Sequence, residues 1–380
     1  MRFDYVLVGG GLQNALIAMA LLDRRPRARV AMVEHGARLG GNHVWAFHAD
    51  DVPDRARSFV DPLVVQRWPR YHVAFLDGER TLEAPYAAVS AERLHQRVSA
   101  RLRDAEGCAL LLRSTARSVL GHEVYLEDGR RLEAELVVDA RGPEGLAHQG
   151  PAAFQKFVGL ELSVRRSREP RMPTLIDATV QQHDGFRFVY TLPLDDERVL
   201  VEDTYFSDTP DLDVAALRTR VLEHAALSGL EVQGIVREER GVLPLPLEHM
   251  PVPSGERPLV AGYRGGWFHP TTGYSFPLAV RIAQHVADSE PSALFGDAWD
   301  ALVSDHEHQA RFGMLLNRWL FRAMPIDERW RVLSRFYRLP EATIRRFYAM
   351  STTRFDRARI VCGRPPKGIS LRSALAEVSP

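Results

Sequence analysis

The chain has 380 residues, enough for two or three packed units at roughly 100 to 200 residues each. Lys plus Arg and Asp plus Glu both number 49, so overall charge gives no argument for a nucleic acid or an acidic partner. The two cysteines, Cys108 and Cys362, lack C-x-x-C spacing, which argues against a disulfide framework or a cysteine metal site and predicts a cytosolic protein.

In chain order, Phe3 to Val8 reads as a buried strand where a signal peptide would carry basic and then apolar residues. Leu12 to Leu22 reads as a helix apolar nearly all round, the pattern of a helix covered by other layers. Its run "ALIAMALL" is far short of the ~18 apolar residues of a membrane span. "ARVAMVEHG" supplies a second strand, and strand, glycine turn, helix and strand make one βαβ unit with a right-handed crossover.

The turn is "VGGGLQNA". Gly9 permits the tight bend and Gly11 lets backbone approach a pyrophosphate, whereas Asn14 replaces the third glycine of G-x-G-x-x-G. Glu34 ends the second strand at about the 20-residue spacing from which a carboxylate takes ribose hydroxyls. These supports together predict a dinucleotide site. Arg38 and the pair Gly40, Gly41 then follow, as in many flavoproteins. His43 and His48 invite a metal reading, but their spacing suits no helix face and no carboxylate cluster stands near, so no metal site is expected.

Ser90 to Leu102 predicts an amphipathic helix, followed by short strands around Ala109 to Leu112, Arg117 to Leu120 and Glu123 to Leu126. Asp128 and Gly129 make a hairpin turn, and "AELVVDARG" reads as the strand returning to the nucleotide domain. From Phe154 to Phe206, "FQKFVGLELSV", "TLIDATV", "FRFVYTLPL" and "RVLVEDTYF" predict an inserted, largely antiparallel sheet. "RPLVAGYRGGWFHPTTGYSFPLAVRIAQHV" returns to strand, glycine loop and helix, with Ser275 and Pro277 as start signals. Beyond Ala301 the chain reads as helical and rich in Arg and aromatics. The units expected are 1–150, nucleotide domain; 151–240, inserted sheet; 241–300, nucleotide domain, closing part; and 301–380, a helical unit.

In "RVLVEDTYF" alternation puts Leu200, Glu202, Thr204 and Phe206 on one strand face and Val199, Val201, Asp203 and Tyr205 on the other. A carboxyl among apolar neighbours has its pKa raised and can serve as a general acid; the plainer reading makes Glu202 and Asp203 solvated charges or partners of nearby arginines. Phe186, Phe188 and Tyr190 share a face, as core or pocket wall.

Taken together these segments resemble the bacterial lycopene beta-cyclases. The resemblance is carried by "VGGGLQNALIA", "GGNHVWAFH", "DPLVVQRWPRYHVAF", "VVDARG", "FQKFVGLEL", "VLVEDTYFSD", "GWFHPTTGYSFPLAV", "RFYRLP" and "RARIVCGRPP", almost the whole chain. It implies an α/β protein: a Rossmann-like FAD-binding domain of glutathione-reductase type, an inserted, mainly antiparallel sheet, and a C-terminal helical unit. It implies an isomerase that closes the open ends of lycopene into β-rings, with reduced FAD, no net redox change, and NAD(P)H as the reductant. Carried over, the acidic pair gives Glu202 as leading acid or base and Asp203 second. The cofactor residues are Val8, Gly9, Gly11, Leu12, Asn14, Glu34, His35, Arg38, Gly41, Asn42, Asp139, Gly142, Gly262, His269, Thr272 and Gly273.

Lycopene and related carotenes are insoluble, which implies a peripheral protein on the inner face of the cell membrane. Between Arg311 and Met350 nine Arg stand against three acids, interleaved with apolar residues. An interfacial helix fits this pattern, and so does a helical unit packed on the sheet with its arginines in water. The alternatives in function are an FAD-dependent monooxygenase or reductase of an isoprenoid or aromatic compound, and a non-enzymatic isoprenoid-binding protein. "AGYRGG" stands where such monooxygenases usually carry a Gly-Asp pair.

Overall fold

The computed structural model describes residues 1–142, 150–165, 172–251 and 255–362. The end of the segment "RARIVCGRPP" and the last part of the expected helical unit lie outside them. Among the described residues seven strands form a first sheet. Its order is β8 (Ala109–Leu111), β2 (Val30–Val33), β1 (Arg2–Val8), β11 (Arg131–Asp139), β10 (Glu123–Leu126) and β9 (Ala116–Val119), with β17 (Leu259–Val260) also paired to β11. β1 runs parallel to both β2 and β11, and β17 parallel to β11. Val8 pairs with Val33 and with Asp139, and Asp139 with Val260, so four strands end in one row. Ligands bind beyond the carboxyl ends of such strands.

Helix α1 (Leu12–Arg24) is buried from Leu12 to Leu22. Its apolar surface all round is explained by its neighbours: the sheet below, with α2 (Asp54–Val60), α3 (Ala91–Asp104) and α5 (Phe276–Asp288) sharing the same core. A three-stranded sheet of β3 (Val44–His48), β7 (Tyr86–Ser90) and β4 (Val64–Trp68) lies in the next stretch of chain.

The second large sheet has the order β16 (Val232–Pro246), β12 (Ala152–Val164), β15 (Arg198–Ser207), β14 (Phe186–Pro193), β13 (Thr174–Ala178), β5 (Tyr71–Phe75) and β6 (Gly78–Leu82). Its pairs are antiparallel except β13 with β5. The sheet therefore reaches beyond the expected 151–240 segment in both directions: β16 runs on to Pro246, and a hairpin from the first segment pairs with β13, which would otherwise be an open edge.

The two faces of this sheet meet different layers. Leu160, Leu162, Val199 and Val201 pack with Val221 and Ala225 of α4 (Val214–Leu227). Phe186, Phe188, Leu200 and Phe206 pack with Leu320, Phe321, Trp330 and Ile344 of the C-terminal helices. Those helices are α6 (Asp297–Arg318), which runs into a π-helical turn over Trp319–Ala323, then α7 (Trp330–Phe336), α8 (Glu341–Tyr348) and α9 (Arg354–Val361). Most apolar residues of the Arg-rich stretch thus face the protein. Its arginines meet acids from other segments, Arg329 with Asp208, Arg338 with Asp77, Arg345 with Asp50 and Arg346 with Asp356.

Candidate active site

A continuous cavity of about 1140 Å³ connects the two large sheets. Its wall includes Val8, Gly9, Gly11, Leu12, Glu34, His35, Gly41 and Gly142 from the first sheet's strand ends, and Gly262, Thr272 and Gly273 from the closing loop. It continues past Glu202 and Tyr190 to Val332, Phe336, Ile360 and Val361 of the helical unit.

At the glycine turn the backbone is shaped for a close ligand. Gly9 has a φ of +95°, and a Cβ there would lie 2.4 Å from the Ala140 carbonyl oxygen. A Cβ at Gly11 would meet nothing within 4 Å, so hydrogen at this position leaves the space over the first turn of α1 open. Gly11 is also the N-cap and offers no side chain to the first amides, while the first turn carries no acid. Unspent amides and the helix dipole favour an anion here. Glu34 accepts from the Gly10 amide at 2.7 Å and the Gly36 amide at 2.6 Å, which fixes its carboxylate in the cavity wall. The pattern fits a dinucleotide such as FAD.

Five predicted contacts stand off this wall. Asn14 is fully buried behind the turn, where its Nδ2 donates to the carbonyls of Val8 at 2.9 Å and Gly9 at 2.8 Å. It braces the turn from within, a function that a third glycine cannot perform. Arg38 is exposed. The carbonyl and Oδ1 of Asn42 accept from Arg237 at 3.0 and 3.1 Å, which ties its loop to β16. Asp139 is paired with Arg141 and Arg264. His269 accepts from the Thr271 amide at 3.1 Å, and burial lowers its pKa to about 3, so it shapes the closing loop as a neutral ring.

The strand alternation separates the acidic pair. Asp203 is fully buried on the α4 side, where Arg187 donates to both its oxygens at 2.9 and 3.1 Å and Tyr205 adds a hydroxyl at 3.2 Å. It does not reach the cavity. Glu202 does, between Leu200 and Phe206. Its Oε1 accepts from Thr204 Oγ1 at 2.7 Å, but burial first and then the charge of Glu239 push its pKa up to about 8. Such surroundings, a buried site in an aromatic wall, are those in which a carboxyl is held toward its protonated form.

Sequence reasoning missed Glu239 altogether. Alternation in "VREERGVLPLP" places Arg237, Glu239, Gly241 and Leu243 on one face, and this stretch was divided between two expected units. It also missed an aromatic group that only the fold assembles. Tyr190 Oη lies 3.4 Å from Tyr86 Oη, the Tyr86 ring is 5.1 Å from that of His48, and His48 Nε2 lies 3.3 Å from Tyr71 Oη. Burial lowers the His48 pKa to about 3 and keeps the ring neutral. Nearby, Tyr274 of the closing loop donates to Asp51, whose pKa burial raises to about 7.

The model of the family described as lycopene cyclase protein matches residues 4–374. Lycopene beta-cyclase of Pseudescherichia vulneris is 40% identical over 379 residues, 98% of this chain and 97% of that one. Lycopene beta-cyclase of Pantoea ananas is 38% identical over 369 residues, 96% and 95% of the two chains. The chain belongs to the lycopene cyclase family. Among solved structures, the flavin-dependent brominase Bmp2 shares the fold, with a TM-score of 0.61 at 12% identity over 92% of this chain and 94% of that one. For a lycopene cyclase, a cavity that joins a glycine turn fit for a dinucleotide to an apolar, aromatic chamber with buried carboxyls is a coherent arrangement.

Proposed function

We propose that this chain cyclises the open ends of lycopene to β-rings, with Glu202 as the acid. The observation that carries the role is Glu202 itself, a carboxyl with a raised pKa in the aromatic wall of a largely apolar cavity of about 1140 Å³. Its proton passes to C2 of the terminal double bond, the C5=C6 π pair closes onto C1, and loss of the C6 proton completes the ring. Substrate and product are isomers, so atoms and electrons balance without an oxidant. Phe186, Phe188 and Tyr190 offer ring faces to the cationic intermediate and exclude water from it.

FAD would be held by the turn at Gly9 and Gly11, by Glu34, and by the loop at Gly262, Thr272 and Gly273. Reduced, with NAD(P)H as the reductant, it would supply negative charge to a cationic substrate with no net electron transfer. Expression in a lycopene-accumulating bacterium tests the activity. Conversion of red lycopene to orange β-carotene is expected, and unchanged lycopene beside well-expressed yellow protein would overturn the reading. Catalytic amounts of NAD(P)H should suffice, whereas a monooxygenase or reductase consumes it stoichiometrically.

A carotene comes from lipid, and among the described residues no helix is long and apolar enough to cross a membrane. The helical end of the cavity supports contact with a membrane surface: Ile360 and Val361 line it, and Phe355 on the same helix is 79% exposed. Flotation with anionic vesicles should carry the protein upward, and Phe355→Glu should weaken this. Protein that stays at the bottom at low salt would remove the membrane from the account.

A further inference from the structure

The row of residues across the second sheet at Glu202 is unusual in charge. Gly159 on β12 is paired with Glu202 on one side and with Glu239 on the other, and Tyr190 is paired with Glu202 beyond. Glycine leaves the space between the two carboxyl side chains unfilled. A Cβ at 159 would lie 3.3 Å from Glu202 Oε2 and 3.1 Å from Glu239 Cγ. Both glutamates line the cavity.

Their partners differ. Glu202 has the Thr204 hydroxyl at its carboxyl. Glu239 Oε2 accepts from Arg237 Nη1 at 2.9 Å, and that guanidinium is held in turn by Glu161 at 3.0 Å and by Asn42. An arginine stays charged, so it favours the ionised form of the carboxyl it touches. Burial raises the pKa of both glutamates, and Arg237 opposes the rise most strongly at Glu239. Two facing carboxyls whose surroundings separate their proton affinities are the usual form of an acid and base pair.

We propose that Glu239, oriented by Arg237 across the Gly159 gap from Glu202, is the base that takes the C6 proton and hands it back to Glu202. This rests on the cyclase reading above. The Glu202 O–H bond breaks as the C2–H bond forms. The C5=C6 pair becomes the C1–C6 bond, leaving the cation at C5. The C6–H bond then breaks, its electrons re-form C5=C6, and the proton forms an O–H bond on Glu239. Transfer to the Glu202 carboxylate restores the starting state, so the pair carries one proton through each turnover and a dry cavity needs no solvent base.

The groups that act on the pair are Arg237 on β16, Glu161 on β12, Tyr190 on β14 and Asp203 through the back of β15, with His43, from the loop before β3, near Arg237. Flavin-loaded protein with reductant and lycopene in vesicles should show a bell-shaped kcat against pH, rising as Glu239 ionises and falling as Glu202 does. Glu239→Gln should lower kcat about 10²- to 10⁴-fold with KM and bound flavin little changed, and Glu239→Asp should recover part of the loss. Arg237→Gln should move the rising limb to higher pH, which a purely structural arginine would not do. A Glu239→Gln protein within threefold of wild type, or a rising limb unmoved in Arg237→Gln, would overturn the assignment while wild-type cyclisation left the cyclase reading standing. If the wild type formed no β-rings, both would fall.

Discussion

Two adjacent carboxyls, Glu202 and Asp203, meet opposite surroundings because successive residues of β15 project to opposite faces of one sheet. Asp203 enters a closed layer under α4 and is matched by a bidentate guanidinium. Glu202 enters an open, aromatic chamber and meets a hydroxyl, with a second carboxyl nearby in place of a cation. Burial alone does not distinguish them, since both faces are apolar. The partner does: the two hydrogen bonds from Arg187 make the buried Asp203 a structural carboxylate, whereas at Glu202 a hydroxyl in that place leaves a proton available for the chemistry proposed above.

The comparison breaks most visibly at Glu202. Glu202→Gln should reduce cyclisation by about 10²- to 10⁴-fold, because it removes the acid while keeping shape and one hydrogen bond. Pigment analysis beside a flavin spectrum checks this; full β-carotene formation would return Glu202 to the cavity wall. Asp203→Ala should act through stability instead, since it leaves Arg187 buried without its carboxylate. A loss of about 3–5 kcal/mol is the usual cost of breaking such a pair, read by denaturant unfolding, with residual folded protein still able to cyclise.

A pH experiment sharpens the same contrast. The folded-state pKa of Glu202 stands near 8, above its ordinary value of 4.5, so between these limits the folded protein binds the extra proton. Stability from this group is therefore greatest at low pH and falls as pH rises through the window, by up to ~1.4 kcal/mol per pH unit. Glu202→Gln should remove that slope and gain on wild type as pH goes from 5 to 8. Equal pH profiles of melting for the two proteins would mean that Glu202 is ionised throughout.

Much of this site was legible one strand at a time. Alternation was enough to separate Glu202 from Asp203, and the βαβ pattern was enough to bring Gly9, Gly11 and Glu34 to one cavity wall. What single strands do not carry is which of them become neighbours. Glu239 faces Glu202 because β12 lies between β15 and β16, and Tyr86 meets Tyr190 because β7 and β14 belong to sheets that share a core. The inward turn of Asn14 was illegible for another reason. An amide in a first helical turn has ligand and backbone both within reach, and the two carbonyls at the end of β1 decide between them.

The smallest expected effect falls on Gly159, and it addresses the spacing that the whole contrast depends on. Gly159 lies in a strand interior, where alanine is ordinarily the better residue by about 0.5–1 kcal/mol, a gain that offsets the cost of the close contacts, so Gly159→Ala should fold about as well as wild type. Its methyl group would lie 3.1 Å from Glu239 Cγ and 3.3 Å from both Glu202 Oε2 and the buried Leu200 Cδ1, closer than relaxed contact, so these three side chains would have to yield by a few tenths of an ångström. Displacements near 1 Å can cost 100-fold in rate, so this smaller shift should cost roughly tenfold in kcat with little change in melting temperature. Loss of rate without loss of stability would mark the gap as part of the chemistry. An unchanged rate would show that the acid needs no set distance from its neighbour, and the open face of β15 would then work through Glu202 alone.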